Sequence, residues 1–215
     1  MSIHTSASDR PLQDFTIAEF IAALAAKTPT PGGGSVAAMV AALAAAQANM
    51  TLQYTLGKPK FAAHETELQA LANQLAHAAA MLTDLMEQDR AAYQALSPLL
   101  KLPAETRLHD PTFAPALLAA LRVPQLVGQT CVAMLRRCIS MADKINPLLK
   151  TDLAVAAQLA AAAAQASRMN VLANLSLLTD AKEVSQFAAE AAAFAAEAAQ
   201  LSQQVTATVL KDLPS

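Results

Sequence analysis

The sequence predicts an all-α protein, an antiparallel bundle of long Ala-rich helices that assembles into an oligomer. Three observations carry this. Alanine, the strongest intrinsic helix former, supplies about a quarter of the 215 residues, whereas aromatic residues make up 4%. Apolar residues recur at three- and four-residue steps, as in Leu68, Leu71, Leu75, Ala79, Leu82, Leu85 and Met86, which is the period of one helix face. Charged residues are 15% and hydrophobic residues 54%, so a lone chain would leave much apolar surface in water unless it buried a face against another copy. The length fits one domain over residues 1–215.

The elements follow in order. Thr16-Ile17-Ala18-Glu19 has the form of a capping box and predicts a helix to about Lys27. Thr28-Pro29-Thr30-Pro31-Gly32-Gly33-Gly34-Ser35 breaks it, because the prolines remove donors and the glycines admit unusual backbone angles. A second helix is expected from Ser35 to about Leu56, stopped by Gly57 and Pro59. A long helix should run from about Phe61 to Leu96, with Ser97-Pro98 and Pro103 in the loop after it. A short helix near Phe113 to Arg122, an interruption at Pro124 and a helix from Gln125 to Asp143 come next. Asn146-Pro147 is another break, and Asp152 is placed to cap a helix to about Leu178. Asp180 with Glu183 starts the last helix, which ends near Leu210; Phe187, Phe194 and Leu201 repeat along it every seven residues and predict coiled packing on a neighbour.

Composition also restricts function. A net charge of −2 and a pI near 6.1 leave no concentrated basic surface for nucleic acid. Met1 to Asp14 is polar, with no secretory signal, so a cytoplasmic protein is expected. Val36–Met50 and Leu153–Ala166 are apolar but short and contain Gln47, Asn49, Gln158 and Gln165, so buried helices are expected and not membrane spans. Cys131 and Cys138 lie about 10 Å apart along one helix, too far for a disulfide, which predicts free thiols in a reducing compartment. His4, His64, His77 and His109 show no metal-ligand spacing, and no metal site is expected.

The segment Thr28 to Ser35 is the most informative. Glycines leading into a helix expose N–H groups that no helical carbonyl claims, where the helix dipole adds positive potential. Such a turn either stabilises negative charge or merely connects two helices. It lacks the Lys-Ser/Thr of a phosphate-binding loop and the strand of a dinucleotide fingerprint.

Thr-Pro-Thr-Pro-Gly-Gly-Gly-Ser followed by an Ala-rich helix resembles the opening motif of the formimidoyltetrahydrofolate cyclodeaminase and methenyltetrahydrofolate cyclohydrolase family. Leu56-Gly57-Lys58, the segment Glu87 to Tyr93, Val123-Pro124, Asn146-Pro147, Thr151-Asp152, Asn170-Val171 and Asn174-Leu175 resemble later landmarks, in order. The chain departs from the family pattern at Pro59, Phe61, Leu153-Ala154 and Leu172. The resemblance implies a helical homo-oligomer, most simply a dimer. It also implies an enzyme without metal or organic cofactor, whose substrate is a tetrahydrofolate derivative.

Cyclodeamination closes a ring between N5 and N10 as ammonia leaves; cyclohydrolysis adds water and opens that ring. Both need protons moved at nitrogen or oxygen. On the resemblance, Lys58, Asp89 and Asp152 are the candidate catalytic residues, and Gly32, Gly33, Gly34, Ser35, Tyr93, Asn170 and Asn174 the candidate substrate-binding residues. Each also has a plain reading: Lys58 a solvated lysine, Asp89 a surface acid, Asp152 and Ser35 helix caps, Tyr93 a core aromatic, and the two Asn amides satisfied by backbone. No histidine is placed to activate Ser35 as a nucleophile. An antiparallel pair of helices could bring Lys58 and Asp89 into one cleft, although Asp89 lies about thirty residues along a helix of roughly 45 Å. A subunit interface would also join them, with Lys58 of one chain facing Asp89 or Asp152 of another. The alternative function is a non-catalytic helical oligomer that keeps the scaffold and binds folate.

Overall fold

The computed structural model describes residues 10–211. The polar start that argued against a signal falls largely outside them, as does His4. Seven α-helices occur among the described residues: α1 (Ile17–Ala25), α2 (Gly33–Gln53), α3 (Glu65–Leu99), α4 (Ala104–His109), α5 (Phe113–Met141), α6 (Lys150–Asn174) and α7 (Ala181–Leu210). No strand occurs among these residues.

α2 and α6 form the middle of the bundle. Ala37, Ala38, Ala41, Ala44, Ala45 and Ala48 of α2 and Ala156, Ala157, Ala160, Ala163 and Ala164 of α6 are all buried. Such short side chains let helix backbones approach closely. α3 packs on α2, α5 on α3 and α6, and α7 on α5 and α6. The larger side chains Leu68, Leu75, Leu82, Leu121, Leu135 and Leu153 fill the space between these helices with no exposure.

The capping box forms as expected: Glu19 N–H donates to Thr16 Oγ1 at 3.2 Å, and Thr16 N–H donates to Glu19 Oε2 at 2.7 Å. Asp180 caps α7 by accepting from Lys182 N–H at 2.7 Å. Gly57, with φ of 72°, turns the chain after α2, and its N–H donates to the Glu65 carboxylate at 3.1 Å. Phe187, Phe194 and Leu201 all face the core from α7. Phe194 lies so close to α5 that a Cβ on Gly128 would come within 2.3 Å of its ring.

Several boundaries differ from expectation. α2 begins at Gly33, with Gly32 as its N-cap, so Ser35 is an interior residue of the first turn and not a cap. Pro98 lies inside α3, one residue before its end, where a lost amide breaks little. α4 lies in a stretch expected to be loop.

Pro124 does not interrupt α5. A proline removes the bond to the carbonyl four residues back, here Ala120, and Asn174 Nδ2 on α6 donates to that carbonyl at 3.2 Å. α6 begins at Lys150, continuing a 3-10 turn over Pro147–Leu149, so Asp152 sits in its first turn and does not cap it. Asn146 caps the 3-10 turn through Leu148 N–H at 3.2 Å.

α2 and α5 are long and apolar enough to cross a membrane by length and composition alone, and about half of each apolar window is buried inside the bundle. The Leu153–Ala166 stretch does not reach that length and hydropathy. α1 stands apart: Phe20 is its buried residue, while Ile17 and Ile21 are 72% and 60% exposed.

Candidate functional site

Seven of the ten candidate residues gather at one end of the bundle. The N-terminus of α2, the middle of α3 and the end of α6 enclose a cavity of about 250 Å³ lined by Gly32, Gly33, Gly34, Asp89, Tyr93, Asn170 and Asn174, with Pro29 and Thr30 at its rim. Tyr93 is half exposed here and is not a core aromatic.

Asp89 is the polar centre. Ser35 Oγ lies 2.9 Å from Asp89 Oδ2 and 3.2 Å from the Met86 carbonyl. Burial pushes the Asp89 carboxyl above its ordinary range, and the bonds from Ser35 partly offset this. Ser35 itself is fully buried and does not line the cavity, so it reaches a ligand through Asp89 and not by its own contact.

The glycines make this approach possible. A Cβ at Gly34 would lie 1.8 Å from Asp89 Oδ1, and one at Gly33 would lie 3.2 Å from Asn170 Oδ1. Neither glycine is needed for a left-handed backbone, since both are helical. They are needed for the space the polar side chains occupy.

The rest of the acidic segment has another task. Arg90, 8% exposed, donates to Glu87 and, at 3.0 Å, to the Arg10 carbonyl, while Glu87 Oε2 accepts from Leu12 N–H at 3.0 Å. This clamp fastens the segment before α1 to α3 and turns Arg90 away from Asp89.

Lys58 and Asp152 lie elsewhere. Asp152 Oδ1 accepts from Gln47 Nε2 at 2.8 Å, and Gln47 is about 20 Å along α2 from Gly33. Lys58 is exposed and precedes the 3-10 turn Pro59–His64, beyond the far end of α2. One chain thus keeps Lys58 and Asp152 away from Asp89. Among the described residues, no three His, Cys, Asp or Glu side chains converge.

A model of the formiminotransferase-cyclodeaminase family matches residues 16–208. The chain belongs to that family. It is 34% identical over 179 residues to the formimidoyltransferase-cyclodeaminase of Mus musculus, covering 81% of this chain and 33% of the mouse protein. It therefore spans about a third of that relative's length. With the methenyltetrahydrofolate cyclohydrolase of Methylorubrum extorquens it shares 29% identity over 198 residues, 90% of this chain and 95% of that one. The crystal structure of formiminotetrahydrofolate cyclodeaminase from Thermotoga maritima superposes with a TM-score of 0.84 at 26% identity, covering 93% of this chain and 98% of that one.

Sequence reasoning missed the link from Ser35 to Asp89 and the bond from Asn174 to Ala120. Pro124 signalled the second, because a mid-helix proline always frees a carbonyl for another donor.

Proposed function

We propose that the chain is a folate one-carbon enzyme that opens or closes the ring between N5 and N10 of tetrahydrofolate. It would act as a methenyltetrahydrofolate cyclohydrolase or a formimidoyltetrahydrofolate cyclodeaminase. The observation that carries this reading is Asp89, a carboxyl raised above its ordinary pKa by burial and held at a cavity edge, in a chain of this family.

Either reaction suits such a group. In hydrolysis, water adds to the methenyl carbon and gives one proton to the carboxylate; that proton then passes to the ring nitrogen as the C–N bond breaks, and the hydroxyl proton leaves to solvent as the formyl C=O forms. In deamination, N10 attacks the formimino carbon and loses a proton, and a proton is delivered to the departing ammonia. A carboxyl whose pKa burial raises gives and takes these protons more readily than an ordinary aspartate, and general acid–base transfer is worth typically about 10²- to 10⁴-fold in rate. Neither reaction changes oxidation level, so side chains suffice and no cofactor is invoked.

The cavity falls below the roughly 300–1,000 Å³ of pockets that enclose whole ligands. One chain would then hold one end of the substrate, with the remainder completed by a second copy. Ile17, Ile21 and Leu24 on α1 and Leu43 on α2 are exposed, an apolar surface that a homodimer would cover. Lys58 of one chain would face Asp89 or Asp152 of the other, supplying the positive charge that the cavity lacks. Cys131 and Cys138 are free and buried, with thiols pushed up to about 12 by burial, which suits the cytoplasm. Neither nucleic acid nor a membrane is a proposed partner.

The test is spectrophotometric. Purified protein should accelerate the loss of methenyltetrahydrofolate absorbance, or release ammonia from formiminotetrahydrofolate; which of the two occurs assigns the activity. Folate binding with neither activity would replace the enzyme by the non-catalytic oligomer. A monodisperse monomer in sedimentation at micromolar concentration would remove the shared site.

A further inference from the structure

The two Asn residues at the cavity have fixed amide orientations. Asn174 Nδ2 donates both to the Ala120 carbonyl on α5 and to the Asn170 carbonyl, each at 3.2 Å. Asn170 Nδ2 donates to the Ala166 carbonyl at 3.1 Å. Turning either amide over would set its oxygen against carbonyl oxygens, so the hydrogen-bond network fixes which atom faces which way. The nitrogens are spent on backbone. Among the described residues, no donor reaches either Oδ1.

These oxygens belong to residues that line the cavity with Asp89, so three side-chain acceptors surround one small space. No Lys, Arg or His lines it. The Gly33 and Gly34 amides at the start of α2 leave room for an acceptor on that side, but the group facing the three side-chain oxygens must bring N–H donors, since an acceptor there would leave them desolvated and opposed.

We infer that Asn170 and Asn174, through their Oδ1 atoms, read the N–H donor edge of an amino-substituted heterocycle seated in this cavity. Resting on the folate reading above, the inference assigns a direction to the substrate. The 2-amino group and adjacent ring N–H of the pterin point toward the end of α6, and the glutamate carboxylates lie outside, toward whatever positive charge a second copy supplies. The two asparagines then act as specificity-determining residues. They distinguish a 2-amino heterocycle from the same ring without that group and take no part in moving the reaction's protons.

The test compares two ligands on the full chain by calorimetry: 5-formyltetrahydrofolate, and its analogue with the 2-amino group replaced by methyl. On the wild-type protein the analogue should bind about tenfold or more weakly, since it leaves a buried acceptor unmatched. In Asn170→Leu the gap should narrow, and in the double variant Asn170→Leu/Asn174→Leu the two affinities should converge. Equal affinities on the wild-type protein would overturn the inference while leaving folate binding intact. A tenfold gap that survives the double variant Asn170→Leu/Asn174→Leu would also overturn it, by placing the donor-reading oxygen elsewhere. Binding of neither ligand to the wild-type protein would overturn the folate reading itself. The wild-type comparison stands even if the variant does not fold.

Discussion

Replacing Gly34 with alanine should separate activity from stability. In most helix interiors the change would help, because alanine is favoured over glycine by about 1 kcal/mol. At this position the new Cβ would fall 1.8 Å from Asp89 Oδ1 and 2.4 Å from its Cγ, although real Cβ contacts do not go below 3.0 Å. The carboxylate must therefore retreat by about 1 Å or more, which forfeits its 2.9 Å bond from Ser35 Oγ. Losing such a bond costs about 0.5–1.5 kcal/mol, comparable to the helical gain. The melting temperature should thus stay within about 4 °C of the parent, at roughly 2–4 °C per kcal/mol for a chain of this size. Turnover should fall about 10²-fold, the usual consequence of a 1 Å misplacement at a reacting centre. The assay pairs a thermal melt with the loss of methenyltetrahydrofolate absorbance or the release of ammonia. A folded Gly34→Ala protein with near-parental turnover would refute the role given to Asp89.

Ser35→Ala removes a bond that favours the ionised carboxylate, so the Asp89 pKa should rise further and its limb of the pH–rate profile move to higher pH, with Ser35→Thr restoring it; an unmoved limb contradicts this. Lys58→Met and Asp89→Asn should each lower turnover about 10²- to 10⁴-fold, and mixing the two inactive proteins should recover partial activity if chains share the site. Because the Asp89 pKa lies above its unfolded value, stability falls as pH rises between the two, and Asp89→Asn should abolish that decline in a melt series against pH. Gly128→Ala would drive a methyl to within 2.3 Å of the Phe194 ring and should cost about 1–3 kcal/mol, seen as a lower denaturation midpoint with the linear slope unchanged.

The helices were legible wherever a local signal acted alone. Thr16 with Glu19, and Asp180, cap as their spacing implies, because a cap needs nothing beyond its own turn. Where a distant residue intervenes, local rules lose. Pro124 looks like a helix break until Asn174, fifty residues on in another helix, supplies the missing donor. Ser35 looks like a cap because a serine follows glycines, yet α2 starts two residues earlier at Gly33 and the Ser35 hydroxyl turns to Asp89 on α3. Asp152 lost its cap role to the 3-10 turn that carries the chain into α6. The cavity was readable as a set of motif residues. That Asp89, Asn170 and Asn174 would join the glycines while Lys58 and Asp152 would not is a matter of helix lengths and crossing, which no motif encodes.

The proline within α5 also fixes how two helices slide. A regular helix presents a surface that repeats each turn, so a neighbour lined with alanine can shift by about 5.4 Å and find nearly the same fit. Pro124 spoils that equivalence by leaving Ala120 with an unanswered carbonyl at one level of α5, and Asn174 meets it at one level of α6. A slip by a turn would strand the carbonyl and leave Asn174 only the Asn170 carbonyl of its own helix. In a bundle where alanine makes many registers nearly equal, a chemical flaw in one helix becomes the mark by which the other finds its place. The cavity at the end of α6 inherits its dimensions from that alignment.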